Sequence, residues 1–279
     1  MSLEIPVKDV SNYFIGGQLK HYYEHWEKIT QDEVILGFVK GVKLYFLETP
    51  TQYVVPREIN CSTLQKEKID KEIQKFLEKK IIIPACHSDG EFISQIFPRD
   101  KKSGDVRIVL NLSRLNEVVK YEHFKMEGLG YALSLMTKGC FFGSIDLKDA
   151  YFTVAIDSTF RKFLRFSWRG SLYEFTCLPN GYSDAPRIFT KLMKPIFSTL
   201  RSEGFMSVYY LDDSLLLGNN FEECQKNIQQ TKELLIETGF VLNKNKSSFI
   251  PSQEIVFLGF ILNSETMTVK LPGQDKEHC

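Results

Sequence analysis

The chain has 279 residues, 43% of them hydrophobic and 25% charged, close to the globular average. That excludes disorder, collagen and coiled coil as the main state and leaves room for one large domain or two ordinary ones. Lysine plus arginine and aspartate plus glutamate both number 35, so the net charge is zero, a uniformly positive surface is excluded, and contact with nucleic acid must come from local basic patches.

Taken in chain order, residues 1–60 are the least readable. They hold an aromatic cluster (Tyr22, Tyr23, Trp26) and one strand-like run, Val42 to Leu47, and pattern assigns them no role. Ser62 and Gln65 form a capping box, and Leu64, Ile69, Ile73, Phe76 and Leu77 then recur at helical spacing, so a helix is expected over 63–79. A short strand at 81–83 closes on Pro84. Two strand-like runs, 92–97 and 106–112, flank the turn-rich 98–105 and predict a hairpin with a basic tip. Residues 141–146 read as a strand ending in an acid, and 161–177 as a hairpin turning at 169–171. A helix over 184–203 contains Pro195, which should kink it. A third hairpin spans 207–218. A helix over 221–238 is capped by Asn219 or Asn220 and stopped by Gly239, and strands at 240–243, 255–262 and 267–271 finish the chain. No apolar run is long enough for a membrane helix, and the opening MSLEIPVKDV lacks the basic and apolar regions of a signal peptide. The six cysteines are scattered with no C-x-x-C pair, so neither a zinc site nor a disulfide framework is indicated, and an intracellular setting is expected, cytoplasm and nucleus not being distinguished.

Three acids stand out. Asp212 and Asp213 lie between apolar strands, where, taken alone, an ordinary hairpin turn is the favoured reading. Asp146 ends its own strand, where an acid that opens a helix is the plain reading. If the 141–146 strand pairs beside the 207–218 hairpin, the acids meet at one sheet edge. Carboxylates so gathered repel one another unless cations lie between them, and an all-oxygen cluster selects Mg²⁺ or Mn²⁺. Two such ions suit phosphoryl transfer. Pattern permits that chemistry without establishing the pairing.

At these residues the chain resembles the reverse transcriptases. Tyr210-Leu211-Asp212-Asp213 resembles their Y-x-D-D motif, Ser144 to Tyr151 (SIDLKDAY) their first catalytic motif, and Leu178 to Phe189 (LPNGYSDAPRIF) their L-P-x-G…S/A-P-x-x-F motif. Arg107 to Asn116 (RIVLNLSRLN) looks like the fingers strand that holds the triphosphate, Gly239 to Phe249 like the lysine-bearing loop, and Phe257-Leu258-Gly259-Phe260 like the primer grip. These six occur in family order over about residues 60–271. The wording D-L-K-D-A-Y-F, F-K-M-E at 124–127 and the stretch from Leu178 to Lys191 is most like DIRS-type retrotransposons, which pair reverse transcriptase with a tyrosine recombinase.

The resemblance implies an α+β, right-hand polymerase with fingers and palm, its antiparallel palm sheet backed by helices, and no thumb. Residues 1–60 are then an N-terminal extension, 61–119 and 156–179 fingers, 120–155 and 180–272 palm including the primer grip, and 273–279 the start of a thumb or linker. It implies two Mg²⁺ (or Mn²⁺) held by Asp146, Asp212, Asp213 and the Leu147 carbonyl. Arg107, Lys101 and Lys102 would neutralise triphosphate charge, the plain alternative for either lysine being a solvated hairpin tip. Asp149, Ala150 and Asn180 would line the nucleotide site. Tyr151 would exclude a ribose 2′-hydroxyl, or else be a core aromatic. Lys246 would protonate departing pyrophosphate, with Lys244 its competitor. Tyr210, Pro186, Phe189, Phe257, Leu258 and Gly259 would meet primer and template, with Phe257 equally readable as core. The partners implied are an RNA or DNA template with a DNA primer, dNTPs, and the thumb, RNase H and recombinase of a longer polyprotein. With the sequence ending at Cys279 soon after the primer grip, these 279 residues alone are expected to bind template–primer weakly. Competing readings are an RNA-dependent RNA polymerase or a palm-fold nucleotidyl cyclase, and, outside enzymes, a silent remnant that binds nucleic acid or a partner.

Overall fold

The computed structural model describes residues 14–101 and 104–272. Lys102, the first 13 residues and the 273–279 stretch lie outside the described residues. The architecture is α+β, with antiparallel sheets throughout.

Two helices form where the sequence pattern assigned none: α1 (Tyr23–Ile29) and α2 (Glu33–Lys40), the latter capped by the Asp32 carboxylate. Trp26 is fully buried and its Nε1 donates to the Thr238 carbonyl at 2.9 Å. The strand-like run at 42–47 forms no strand, only single bridges from Val42 to Ile156 and from Phe46 to Val119.

The predicted capping box is present: the Ser62 hydroxyl accepts from Gln65 N, the Gln65 side chain accepts from Ser62 N, and α3 runs Thr63–Glu78. Its inner face is Ile69, Ile73 and Phe76; Leu64, expected on that face, is exposed in the first turn. β1 (Ile82–Pro84) joins a hairpin of β5 (Arg165–Trp168) and β6 (Ser171–Phe175) in the order β1-β6-β5. β2 (Gln95–Asp100) and β3 (Val106–Asn111) form the expected basic-tipped hairpin, with strand pairing continuing through Pro98 to Asp100 where a turn was expected. Two short helices follow, α4 (Ser113–Asn116) and α5 (Leu129–Leu135).

The central sheet has the order β7-β8-β4-β9: β4 (Phe141–Asp146), β7 (Ser207–Tyr210), β8 (Asp213–Gly218) and β9 (Ser248–Ser252). The pairing that the sequence left open is made, with β4 antiparallel to β8 and Asp146 opposite Asp213. Side chains alternate across a strand, and both faces of β8 are buried: Leu216 joins the main core, Leu215 and Leu217 a second cluster. α6 (Ala185–Ser202) and α7 (Phe221–Glu237) pack against this sheet and each other. α6 runs through Pro195 as one helix. Asn220 is the α7 cap, and Gly239 at φ 93° ends it. The 240–243 stretch is not a strand; it touches the central sheet's edge through one bridge, Leu147 to Leu242. The 255–262 stretch is not one strand but a hairpin, β10 (Glu254–Phe257) and β11 (Phe260–Asn263), joined to β12 (Thr268–Lys270). No described helix is long and apolar enough to cross a membrane, and the five described cysteines are free thiols.

Candidate active site

The tight connection between β7 and β8 leaves two residues outside the ladder, Leu211 and Asp212, because Tyr210 pairs directly with Asp213. Leu211 lies at φ 53°, a left-handed conformation that disfavours a residue with a Cβ. That strained tip is held by the Leu147 amide, which donates to the Asp212 carbonyl at 2.9 Å. Strained backbone of this kind persists where surroundings over-determine it, and is frequent at functional sites. The β7–β8 turn and the end of β4 thus bring Asp146, Asp212 and Asp213 to one sheet edge.

The Asp146 carboxylate is almost fully buried, and the Lys246 ammonium, 67% exposed, lies 3.5 Å from it. Lys244 is exposed and outside this contact, which separates the two candidate lysines. The Asp213 carboxyl is pushed up to about 6, first by burial, then by the charges of Asp212 and Asp146, against the pull of Lys246. Asp212 is raised in the same direction. It is open to solvent by area, yet the concave wall around it desolvates it, and Asp146 adds repulsion, opposed by its own backbone amide, Lys246 and Arg107. The acids feel one another, yet among the described residues no three Asp, Glu, His or Cys side chains are gathered at metal-holding geometry.

A cavity of about 420 Å³ opens onto this edge. Its lining includes nine of the residues singled out from sequence: Arg107, Asp146, Leu147, Asp149, Ala150, Tyr151, Asn180, Asp212 and Lys246. Arg107 points outward from β3, between the inward-facing Val106 and Ile108. Asn180 is set by a close approach. Gly181, at φ 102°, lies so near β3 that a Cβ there would stand 2.7 Å from the Leu110 carbonyl oxygen. Asn116 fastens the same loop, donating to the Gly181 carbonyl at 2.9 Å and accepting from Ser183 N at 3.0 Å. Tyr151 is half-buried, edge-on to Phe189 with ring centroids 5.5 Å apart. Its hydroxyl is pushed up to about 12, first by burial, then by the Asp212 charge.

Other expectations need correction. Phe189 is 0% exposed, wedged between Tyr151 and Phe240, so it supports the tyrosine and is not available to nucleic acid. Phe257 is likewise buried, in the second cluster; the tip of its hairpin is Leu258-Gly259, both at positive φ, with Leu258 packed against that cluster and Gly259 exposed. Tyr210 packs on that same cluster, and Pro186 is half-buried in the first turn of α6. Lys101 does not reach the cavity: its ammonium pairs with the buried Glu72 carboxylate of α3 at 2.9 Å. Two residues escaped sequence reasoning. Asn243 N donates to the Asp146 carbonyl at 2.8 Å, and the Ser247 hydroxyl accepts from Asp146 N at 3.0 Å, so the lysine-bearing loop braces Asp146 from both sides. The signal was a turn-forming Asn and a Ser flanking Lys246.

The sequence pattern of the reverse transcriptase (RNA-dependent DNA polymerase) family matches residues 99–262, more than half of the chain. The chain is 27% identical over 234 residues to an enzymatic polyprotein of cauliflower mosaic virus (strain Strasbourg), covering 83% of this chain and 33% of the relative. It is 26% identical over 204 residues to a retrovirus-related Pol polyprotein from transposon gypsy of Drosophila melanogaster, covering 71% of this chain and 19% of that one. The chain therefore spans a third or less of these relatives. Among solved structures, a foamy viral protease–reverse transcriptase in complex with dsDNA superposes with a TM-score of 0.72 at 18% identity, over 94% of this chain and 58% of that one. Such a likeness establishes the fingers-and-palm fold. The match to residues 99–262 encloses the three acids, the tyrosine and the arginine around the cavity, and by it the chain belongs to the reverse transcriptase (RNA-dependent DNA polymerase) family.

Proposed function

We propose that the chain is the RNA-directed DNA polymerase segment of a retroelement polyprotein, adding dNTPs to a primer 3′-hydroxyl. The observation that carries this is the meeting of Asp146, Asp212 and Asp213 at one sheet edge, beside a cavity that also presents Arg107 and Tyr151. The oxygen-only donor set fits Mg²⁺ or Mn²⁺, with Asp146, Asp212, Asp213 and the Leu147 carbonyl as the residues that would hold two ions. When bound, such ions supply charge neutralisation and activation of the attacking oxygen.

The chain's own residues do the rest. The 3′-oxygen attacks the α-phosphorus of the dNTP while the bond to pyrophosphate breaks, a reaction that depends on positioning and charge. Arg107 faces the triphosphate. Asp149, Ala150 and Asn180 wall the nucleotide, and Tyr151 fills the space a 2′-hydroxyl needs. Lys246 exchanges its contact with Asp146 for the leaving pyrophosphate and gives it a proton. Pro186, Tyr210 and the Leu258-Gly259 tip lie toward primer and template. Residues 61–119 and 156–179 act as fingers, 120–155 and 180–272 as palm. The finer placement among DIRS-type elements rests on the wording of the first catalytic motif, of F-K-M-E at 124–127 and of the stretch from Leu178 to Lys191; a tyrosine recombinase frame beside the gene supports it, and an integrase frame of the gypsy kind removes it.

The test is dNTP incorporation on an RNA template with a DNA primer and Mg²⁺, beside an Asp212→Asn, Asp213→Asn double variant and a parallel rNTP reaction. Incorporation of dNTPs alone, abolished in the variant, is expected. Template–primer binding without incorporation, in this chain and in the full polyprotein, sinks the enzyme reading in favour of a silent remnant.

A further inference from the structure

The turn that carries Tyr151 is held from outside. Asp149 stands at φ 52°, ψ 38°, and a single 3-10 turn, Ala150–Thr153, follows it. Within the turn, Phe152 N donates to the Asp149 carbonyl at 2.9 Å and the Thr153 hydroxyl to the Ala150 carbonyl at 2.6 Å. Two groups distant in sequence complete it. Lys79, just past the end of α3, places its ammonium 2.9 Å from the Asp149 carboxylate. Gly17 N donates to the Phe152 carbonyl at 2.7 Å.

These two supports are themselves tied, because Gly16 N donates to the Lys79 carbonyl at 2.7 Å. The strap is threaded through a gap with no room for side chains. A Cβ on Gly16 would stand 2.8 Å from the Lys80 carbonyl oxygen, and one on Gly17, itself at φ 72°, 3.0 Å from Ala155 Cβ. Beyond the gap, Gln18 Nε2 donates to the Gly239 carbonyl at 2.6 Å, anchoring the strap to the end of α7. Asp149 lines the nucleotide cavity while Lys79 does not. An unpaired carboxylate there would repel a triphosphate; the ammonium behind it neutralises that charge and fixes the turn.

We propose that Lys79 and the Gly16–Gly17 strap are positioning residues for Tyr151, setting dNTP affinity and the rejection of rNTPs. This rests on the polymerase reading above. It gives the N-terminal extension a task at the active site.

The experiment compares the full chain with Lys79→Met and Lys79→Arg. In single-nucleotide incorporation, Lys79→Met should raise KM for dNTP about tenfold with kcat within about twofold, and lower the dNTP-over-rNTP ratio of kcat/KM about tenfold. Lys79→Arg keeps the charge and should recover most of both. Amide hydrogen exchange supplies a readout that needs no catalysis: residues 150–156 should lose protection in Lys79→Met while α7 keeps it. Unchanged selectivity and KM, a fall in kcat alone, or unchanged exchange at 150–156 overturns the proposal. Absence of incorporation in both the wild-type chain and the full polyprotein overturns the polymerase reading and the gate role with it, whereas unchanged exchange in an active enzyme overturns the clamp alone.

Discussion

Asp213 is a carboxylate held where a carboxylate is disfavoured. Its folded pKa of about 6 lies above the ordinary 3.8, because burial and two neighbouring acids oppose ionisation. As pH rises from the unfolded value through the folded one, the folded chain keeps a proton that the unfolded chain has released, so stability falls across that window and the deficit is complete above it. Discounted for a group that is only partly buried, the deficit is about 1–2 kcal/mol. In EDTA, Asp213→Asn should therefore raise the Tm by about 3–5 °C at neutral pH and leave it near wild type at pH 4, as read by thermal denaturation at the two pH values. An equal shift at both would remove the electrostatic account. Tyr151 makes a second prediction at this scale. Tyr151→Val should raise rNTP kcat/KM tenfold or more relative to dNTP, since a bulky ring becomes open space; single-nucleotide kinetics check it, and an unchanged ratio dismisses the gate. The acids, Arg107 and Tyr151 were legible because their chemistry lies in the side chain. Asn243 and Ser247 were not, because they act on Asp146 through its backbone, and backbone partners leave little trace in residue type.

Elements with strong local signals were readable, and those decided by contacts across the chain were not. The capping box of α3 and the acid-ended β4 depend on neighbours in sequence. The 255–262 run reads as one strand because its residues are almost all apolar, yet Leu258-Gly259 at positive φ folds it into a hairpin. The 240–243 run is held by amides at the end of β4, with Lys148 N donating to the Val241 carbonyl, and it lacks a full strand partner. Gly181 offers a test of how closely two elements must approach. Gly181→Ala puts a Cβ against the Leu110 carbonyl in a left-handed backbone, so it should cost about 2–4 kcal/mol in urea denaturation and raise KM for dNTP, because Asn180 and β3 move apart. Gly170→Ala is the control: its φ of 74° is also positive, but nothing lies within 4 Å, so only backbone strain of about 1 kcal/mol applies. Equal losses at the two glycines would show that conformation alone, and not contact with β3, governs position 181.

The larger of the two apolar clusters joins distant parts of the described chain. Leu19, Trp26 of α1 and Val42, from the N-terminal segment that begins with the Gly16–Gly17 strap, share it with Phe76 of α3, Ile145 of β4, Phe189 of α6 and Leu216 of β8. The first 60 residues were opaque in sequence for the same reason: α1 and α2 span only 7 and 8 residues and lie against surfaces made by distant segments, too short for a periodic pattern to stand out, and tertiary packing decides their form. The second cluster lies on the opposite face of the same strands, with Phe142 of β4 and Leu215 and Leu217 of β8, so the two share a sheet, which implies a single cooperative unfolding transition. The two tryptophans report on opposite ends of it. Trp26 donates to Thr238 behind the central sheet, and Trp168 of β5 donates to Asp70 of α3 at 2.7 Å. In Trp168→Phe the fluorescence follows the strap, and in Trp26→Phe it follows the β1-β6-β5 sheet. Each substitution is expected to lower stability by about 1–2 kcal/mol through loss of a buried indole bond, but within each variant fluorescence and far-ultraviolet circular dichroism should trace one urea transition with one midpoint. A fluorescence midpoint in Trp168→Phe that comes earlier than the circular dichroism midpoint would mean that the strap peels away before the rest. The clamp on Tyr151 would then open while the central sheet stayed folded.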